Sequence, residues 1–226
     1  MRITAREKAG LRPPLRKPPP LDLNRIEAVS LHWEVPGVRI LSRKHRTRSI
    51  QRFHQTKWSD IAYSFTIERD GTVVEGRGFR WQAFAEGTAQ RAARRPFPEF
   101  LTVGESANPY YISVLLVGCG PKNDAPTDQQ WLSLDRLVAN IRNWRGRADL
   151  PVDGHGSHRV KACPGPALWQ AIDGGRWDSP AAPWYDQPLE EAVRAGITDG
   201  SDPTRLVTRA EAAIMAHRAY KHARNA

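Results

Sequence analysis

The sequence predicts an α/β protein: a central mixed β-sheet with helices on both faces, followed by a small helical appendage. Three observations carry this. Short apolar runs bounded by turn residues recur at 26–32, 61–68, 72–75 and 110–117, the length and composition of buried strands. Segments at 49–58, 127–144 and 166–172 carry apolar residues at helical spacing. The 226 residues, 40% hydrophobic and 26% charged, suit one full domain and an appendage.

Residues 1–24 form a basic segment with Pro13, Pro14, Pro18, Pro19 and Pro20. Such a segment buries little, so it is expected to wrap the surface or stay mobile. Those prolines also stand where a signal peptide needs an apolar stretch, so no export signal is expected. No apolar run is long enough to span a membrane. Ile26 to His32 reads as a buried strand, with His32 at its C-terminal end. In open α/β sheets that edge gathers ligands. Ser49 to Trp58 fits a short helix in which Ile50, Phe53 and His54 share a face, so His54 reads as a packing residue. Ile61 to Glu68 alternates as a strand does, which puts Tyr63, Phe65 and Ile67 on one face. Asp70-Gly71 is a hairpin turn, and Thr72 to Glu75 returns from it.

Residues 76–108 are irregular, with a basic run at Arg91, Arg94 and Arg95 before Pro96 and Pro98. A loop this long in a compact domain is often functional, and it is expected to wall a substrate groove. Tyr110 to Val117 is a strongly apolar, central strand ended by Gly118-Cys119-Gly120. Thr127 with Gln130 forms a capping box for a helix whose buried face is Trp131, Leu134, Leu137, Val138 and Ile141. The domain therefore runs over 25–175, and a linker over 176–183 follows it. A helical segment over 184–226 closes the chain, with a second capping box at Thr208-Arg209-Ala210-Glu211.

The chemistry concentrates in Asp153-Gly154-His155-Gly156-Ser157-His158-Arg159-Val160-Lys161-Ala162-Cys163-Pro164-Gly165. Zinc takes imidazole nitrogen and thiolate sulfur, and a catalytic zinc keeps three protein ligands and one open position. Two ligands on a short loop and a third from a distant strand would build such a site. His158 competes for the ligand role, and Cys163 also suits a small buried hydrophobe. Cys119 reads as structural, and a Cys119–Cys163 disulfide would consume the thiolate. The net charge of +10 implies attraction to a polyanion: nucleic acid, an anionic membrane or an anionic cell wall. The basic residues are scattered without a nucleic-acid motif, which disfavours the first.

Five stretches, in order, resemble the type 2 N-acetylmuramoyl-L-alanine amidases, the family that includes phage amidases and peptidoglycan recognition proteins. They are the strand ending at His32; Trp58-Ser59-Asp60-Ile61-Ala62-Tyr63-Ser64-Phe65; Asp70-Gly71-Thr72-Val73-Val74-Glu75-Gly76-Arg77-Gly78; Ile112-Ser113-Val114-Leu115-Leu116-Val117-Gly118; and Gly154-His155 with Cys163-Pro164-Gly165. The resemblance covers about 26–172 and implies the type 2 amidase fold. It implies Zn2+ on His32, His155 and Cys163, with Tyr63 and Lys161 as catalytic residues. Two features depart from the family. Leu31-His32-Trp33 stands where His-His-Thr is common, and the region of Gln82-Ala83-Phe84-Ala85 lacks a histidine that many members carry.

The resemblance implies hydrolysis of the amide between the lactyl group of N-acetylmuramic acid and L-alanine in peptidoglycan. Tyr63 would orient the attacking water or shuttle its proton, and Lys161 would stabilise the tetrahedral oxyanion. Glu34 and Glu75 are open candidates for a general base. A non-catalytic peptidoglycan-binding module is the alternative, although inactive recognition proteins of this family typically lack the zinc cysteine. The tail, from Trp184-Tyr185-Asp186 through Val207-Thr208-Arg209-Ala210-Glu211, resembles one S-layer homology motif, whose relatives bind cell-wall polymers. Basic charge and tail together imply anionic wall polymers or outer-membrane lipid as partners. The implied setting is a phage endolysin held in the host bacterial cytoplasm until it is released to lyse the wall.

Overall fold

A computed structural model describes residues 3–34, 46–91, 95–120, 125–178 and 216–218. In chain order its elements are β1 (Ile3–Thr4), β2 (Ala28–Trp33), α1 (Arg46–His54), β3 (Phe65–Ile67), β4 (Val73–Glu75), β5 (Tyr111–Leu116), α2 (Asp128–Arg145), β6 (Val152–Gly154) and α3 (Pro166–Asp173). The strands form one mixed sheet in the order β1-β4-β3-β5-β2-β6. β3 and β4 are the antiparallel hairpin, and the remaining pairings are parallel. The chain divides into two compact units, Met1–Pro180 and Ala181–Ala226.

Strand alternation sorts the sheet into two unlike faces. On one face Val29, Leu31, Phe65, Ile67, Ile112, Val114 and Leu116 pack against Leu134, Leu137, Val138 and Ile141 of α2 and Leu168, Trp169 and Ile172 of α3. α2 starts as its sequence requires, because the Thr127 side chain accepts the Gln130 backbone N–H and the Gln130 side chain returns the bond. The other face is partly polar: Ser30, His32, Thr66 and Ser113 are all buried there among Tyr63, Val74 and Leu115. α1 covers this face through Ile50. Buried polar groups need partners, and His32 and Ser113 find theirs in the side chain of Glu86.

Four expectations change. Residues 1–24 do not merely wrap the domain. β1 adds an edge strand alongside β4, and Ala9 and Leu11 are buried with Ile50 and Val117. Arg6 anchors this segment by pairing with the buried Asp60 at 3.0 Å. Tyr63 does not share a face with Phe65 and Ile67. Residues 61–64 bend rather than extend, Ser64 O accepts both Gly76 N and Gly78 N, and the side-chain alternation slips there. The putting of Phe53 on the buried face of α1 also fails, since Phe53 is exposed while Ile50 and His54 are buried. The linker starts later than 176: Trp177 is buried, its Nε1 donating to Asp135 at 3.0 Å, and its carbonyl accepts Arg142. β6 is a strand that no periodicity announces, because three residues are too few to show one.

The S-layer-like reading of 184–226 lies outside the described residues, except for a helical 216–218. Among the described residues no helix is long and apolar enough to cross a membrane. Cys119 and Cys163 are both buried free thiols. Cys119 is structural as expected, its Sγ lying 3.8 Å from Gln130 Oε1.

His54 is the packing residue its spacing suggests. Its Nδ1 accepts the Ala62 N–H at 3.0 Å, and burial, helped by Arg77, lowers its pKa to about 4. The unfolded chain binds this proton near pH 6.5, the folded protein only near 4. Stability from the neutral ring is therefore present above pH 6.5 and lost as pH falls toward 4. Urea unfolding of wild type and His54→Phe at pH 7.5 and pH 4.5 should show the gap between them closing by about 2.5 kcal/mol at the lower pH. An unchanged gap would mean that His54 titrates alike in both states.

Candidate metal centre

Sheet register brings the two histidines together. β2 lies between β5 and β6, with Leu31 opposite Gly154, so His32, the penultimate residue of β2, stands beside the point where His155 leaves β6. Both sit at the C-terminal edge of parallel strands, where α/β sheets place ligand sites. Their rings are 4.7 Å apart. Cys163 arrives from the following loop. Gly156 N donates to Cys163 O at 2.8 Å, and a Cβ on Gly156 would stand 2.8 Å from that same oxygen, so the close approach requires glycine. Gly165, at φ +94°, lies under the Trp33 ring.

The donor atoms of His32, His155 and Cys163 all lie within 4.8 Å of one another, the set that the sequence singled out. His32 Nδ1 is 3.7 Å from Cys163 Sγ, and the Trp33 backbone N–H points at the same sulfur at 3.5 Å. Two imidazoles and a thiolate are a fitting donor set for zinc. Burial, together with the nearby charge of His32, lowers the His155 pKa to about 3, so this ring is neutral at physiological pH, whereas a metal would have to displace a proton from His32.

Tyr63 joins the cluster, its ring 5.2 Å from that of His32. Burial foremost, then the negative charges of Cys163, Glu86 and Glu34, raise its pKa, so the hydroxyl keeps its proton. Lys161 is exposed on the loop that carries Cys163, two residues before it. His158 falls elsewhere. It is fully buried, stacked on Tyr111 with ring centroids 4.6 Å apart, and groups with Glu86 and His155 rather than with Cys163. Glu34 is occupied by Arg46 at 2.8 Å and by the Gly118 N–H at 2.8 Å. Glu75 sits on β4, half-buried.

Sequence reasoning missed Glu86. It is completely buried and touches the cluster from both its side chain and its backbone. Its Oε1 lies 2.9 Å from His32 Nε2 and accepts the Ser113 hydroxyl. Its Oε2 lies 3.1 Å from His158 Nε2, off the axis of a well-aligned bond. Its carbonyl lies 3.3 Å from His155 Nε2, and its N–H donates to Asn108 Oδ1 at 3.0 Å. Burial alone would raise this carboxyl. The charge of His32, its bond to Oε1 and the close approach of His158 win and hold it well below the usual carboxylate range. The same pairing, with Cys163, overcomes burial at His32 and raises its pKa to about 10. The available signal was a single acid in a basic stretch: Glu86 is the one acidic residue between Glu75 and Glu99.

From the cluster a run of rings leads outward. Tyr63 lies 5.6 Å from His54, His54 5.0 Å from Trp58, and Trp58 6.2 Å from Phe84. Trp58 and Phe84 are exposed and line a cavity of about 620 Å³ with Leu15, Lys17, Arg77 and Asn108. The irregular 76–108 stretch thus supplies both a cavity wall and Glu86.

Comparison with known proteins supplies the family and the fold. Residues 22–166 match the N-acetylmuramoyl-L-alanine amidase (Amidase_2) family. A 36-residue stretch is 56% identical to the N-acetylmuramoyl-L-alanine amidase of Mus musculus, covering 15% of this chain and 7% of that protein. Peptidoglycan recognition protein 1 of Mus musculus is 26% identical over 131 residues, 57% of this chain and 63% of that one. The chain thus spans less than two thirds of the length of these curated relatives. Drosophila PGRP-LB superposes with a TM-score of 0.61 at 22% identity, covering 80% of this chain and 98% of the other. Human PGRP-IβC, solved in complex with glycosamyl muramyl pentapeptide, does so with a TM-score of 0.58 at 19% identity, covering 77% and 96%. These likenesses establish the same mixed-sheet architecture, and with 22–166 matched, the chain belongs to the N-acetylmuramoyl-L-alanine amidase family.

Proposed function

We propose that this protein is a zinc-dependent N-acetylmuramoyl-L-alanine amidase that cuts peptidoglycan between the lactyl group of N-acetylmuramic acid and L-alanine. The observation that carries the reading is the convergence of His32, His155 and Cys163 beside Tyr63, with a run of rings through His54 and Trp58 from Tyr63 to an aromatic, cationic cavity. His32, His155 and Cys163 would hold the zinc. When bound, zinc supplies a water of near-neutral pKa and a Lewis acid for the scissile carbonyl.

The chain's own groups do the rest. Tyr63 keeps its proton across the working pH range, so it serves as a donor that orients the water or the developing oxyanion, not as a base. Lys161 adds a positive charge from the Cys163 loop, where the tetrahedral oxygen gains negative charge. Trp58 and Phe84 offer apolar surface to the sugar and lactyl part of the substrate, and Lys17 and Lys57 on the same cavity offer positive charge to its carboxylates. The net charge of +10 supports an anionic wall or outer-membrane surface as the target, with attraction weakening at high salt. A bacteriolytic, endolysin-type role is part of the same proposal, as is wall binding by 184–226.

The test is incubation of the purified protein with peptidoglycan, with and without a zinc chelator, and mass spectrometry of the soluble products. Free stem peptides beginning at L-alanine are expected, lost on chelation and restored by zinc. Binding without such products would overturn the enzyme reading in favour of a recognition module.

A further inference from the structure

We infer that Glu86 is a positioning residue that sets both histidines for the metal, His32 through its side chain and His155 through its backbone carbonyl. The inference rests on the zinc reading of the site. A carboxylate oxygen and a peptide carbonyl accept hydrogen bonds and cannot donate them. The ring nitrogens that face them, Nε2 of His32 at 2.9 Å and Nε2 of His155 at 3.3 Å, must therefore carry the protons. That leaves Nδ1 of each ring as the nitrogen for a metal, on His32 once the metal displaces the second proton of the ring. One residue thereby selects the same ligating nitrogen twice, and on His32 that nitrogen faces Cys163 Sγ, the sulfur that shares the donor set.

Glu86 is itself held through Oε1 and its backbone and flanked at Oε2. Ser113, which stands opposite Ser30 in the β5–β2 ladder, donates its hydroxyl to Oε1. Ser30 Oγ lies 3.2 Å from His32 Nε2 and extends the group to four polar side chains. His158, wedged against Tyr111, blocks the Oε2 side. Asn108 Oδ1 receives the backbone N–H of Glu86, which fixes the carbonyl that His155 uses. With no exposed surface, Glu86 does not reach substrate, so its contribution is to ligand geometry. The arrangement gives His158 and Ser113 a purpose that the ligand set alone does not.

The experiment compares wild type, Glu86→Ala and Glu86→Gln in the full chain. Zinc affinity is read by competition with a chromophoric chelator, and ring N–H protons by long-range proton–nitrogen NMR on the zinc-loaded proteins. Wild type should bind one zinc and show slowly exchanging Nε2–H protons on His32 and His155. Glu86→Ala should bind zinc about 10- to 100-fold more weakly, lose the His32 signal and keep that of His155, because the backbone acceptor remains. Glu86→Gln retains an acceptor oxygen and the volume, so it should recover part of the affinity, and it serves the comparison if the alanine variant does not fold. Wild-type affinity in both variants would overturn the inference. So would protons on Nδ1 in wild type, joint loss of both signals, or loss of a second zinc equivalent with the first unaffected. Absence of zinc uptake by wild type would instead sink the zinc reading itself, and is seen before any variant is compared.

Discussion

Cys163→Ser is expected to remove zinc and to lower amidase turnover by on the order of 10³-fold. The thiolate is the one anionic donor among the three, and it stands 3.7 Å from His32 Nδ1. A serine hydroxyl keeps its proton at neutral pH and is a poor partner for zinc beside two imidazoles. The substitution is nearly isosteric at a buried position, and the Trp33 N–H that points at the sulfur can point at the hydroxyl. Circular dichroism should therefore be unchanged while metal content and release of L-alanine-headed peptides both fall. A serine variant that retains full zinc would take Cys163 out of the ligand set and bring forward the other group, Glu86, His155 and His158.

Tyr63→Phe should lower kcat about 10²-fold with little change in KM or zinc affinity. The ring packs against His32 and His54 and is retained, so only the hydroxyl is removed. The pH dependence is a sharper check. Burial raises the pKa of this phenol above its ordinary value, with the charges of Cys163, Glu86 and Glu34 acting in the same direction. A phenol whose pKa is raised stays protonated through the neutral and mildly alkaline range. The ratio of wild-type to variant activity should therefore be flat from pH 6 to about pH 9.5. A ratio that changes across that window would show Tyr63 titrating within it and would remove it as a fixed proton donor.

Much of this protein was legible one segment at a time. The capping box at Thr127 and Gln130, and the apolar face of α2 behind it, are set by contacts within one or two helical turns, and they form as written. The apolar run that ends in His32, and the glycines around His155 and before α3, are local statements too: a buried strand must stop somewhere, and only glycine allows the loop at Gly156 to touch Cys163 O. Zinc chemistry narrowed the donors to a few histidines and a cysteine, and the family resemblance chose His32, His155 and Cys163 over His158 among them. Tyr63 was named by resemblance, but its face was misjudged, because alternation presumes an extended chain and residues 61–64 bend.

The sequence by itself determined the fold class, the amphipathic helices and the chemistry of the donor set, since each follows from side-chain type and short-range spacing. Only the tertiary structure decided which polar groups meet. β1 and the buried Ala9 and Leu11 emerge from a proline-rich stretch because a neighbouring strand edge and an apolar face were waiting for them. Glu86 lies 54 residues from His32 and 69 from His155, with no periodicity around it. A lone carboxylate in a basic loop reads as solvated surface until the sheet register brings two histidines to one edge. Burial then makes the carboxylate's hydrogen bonds obligatory, and the partners that satisfy it define the site.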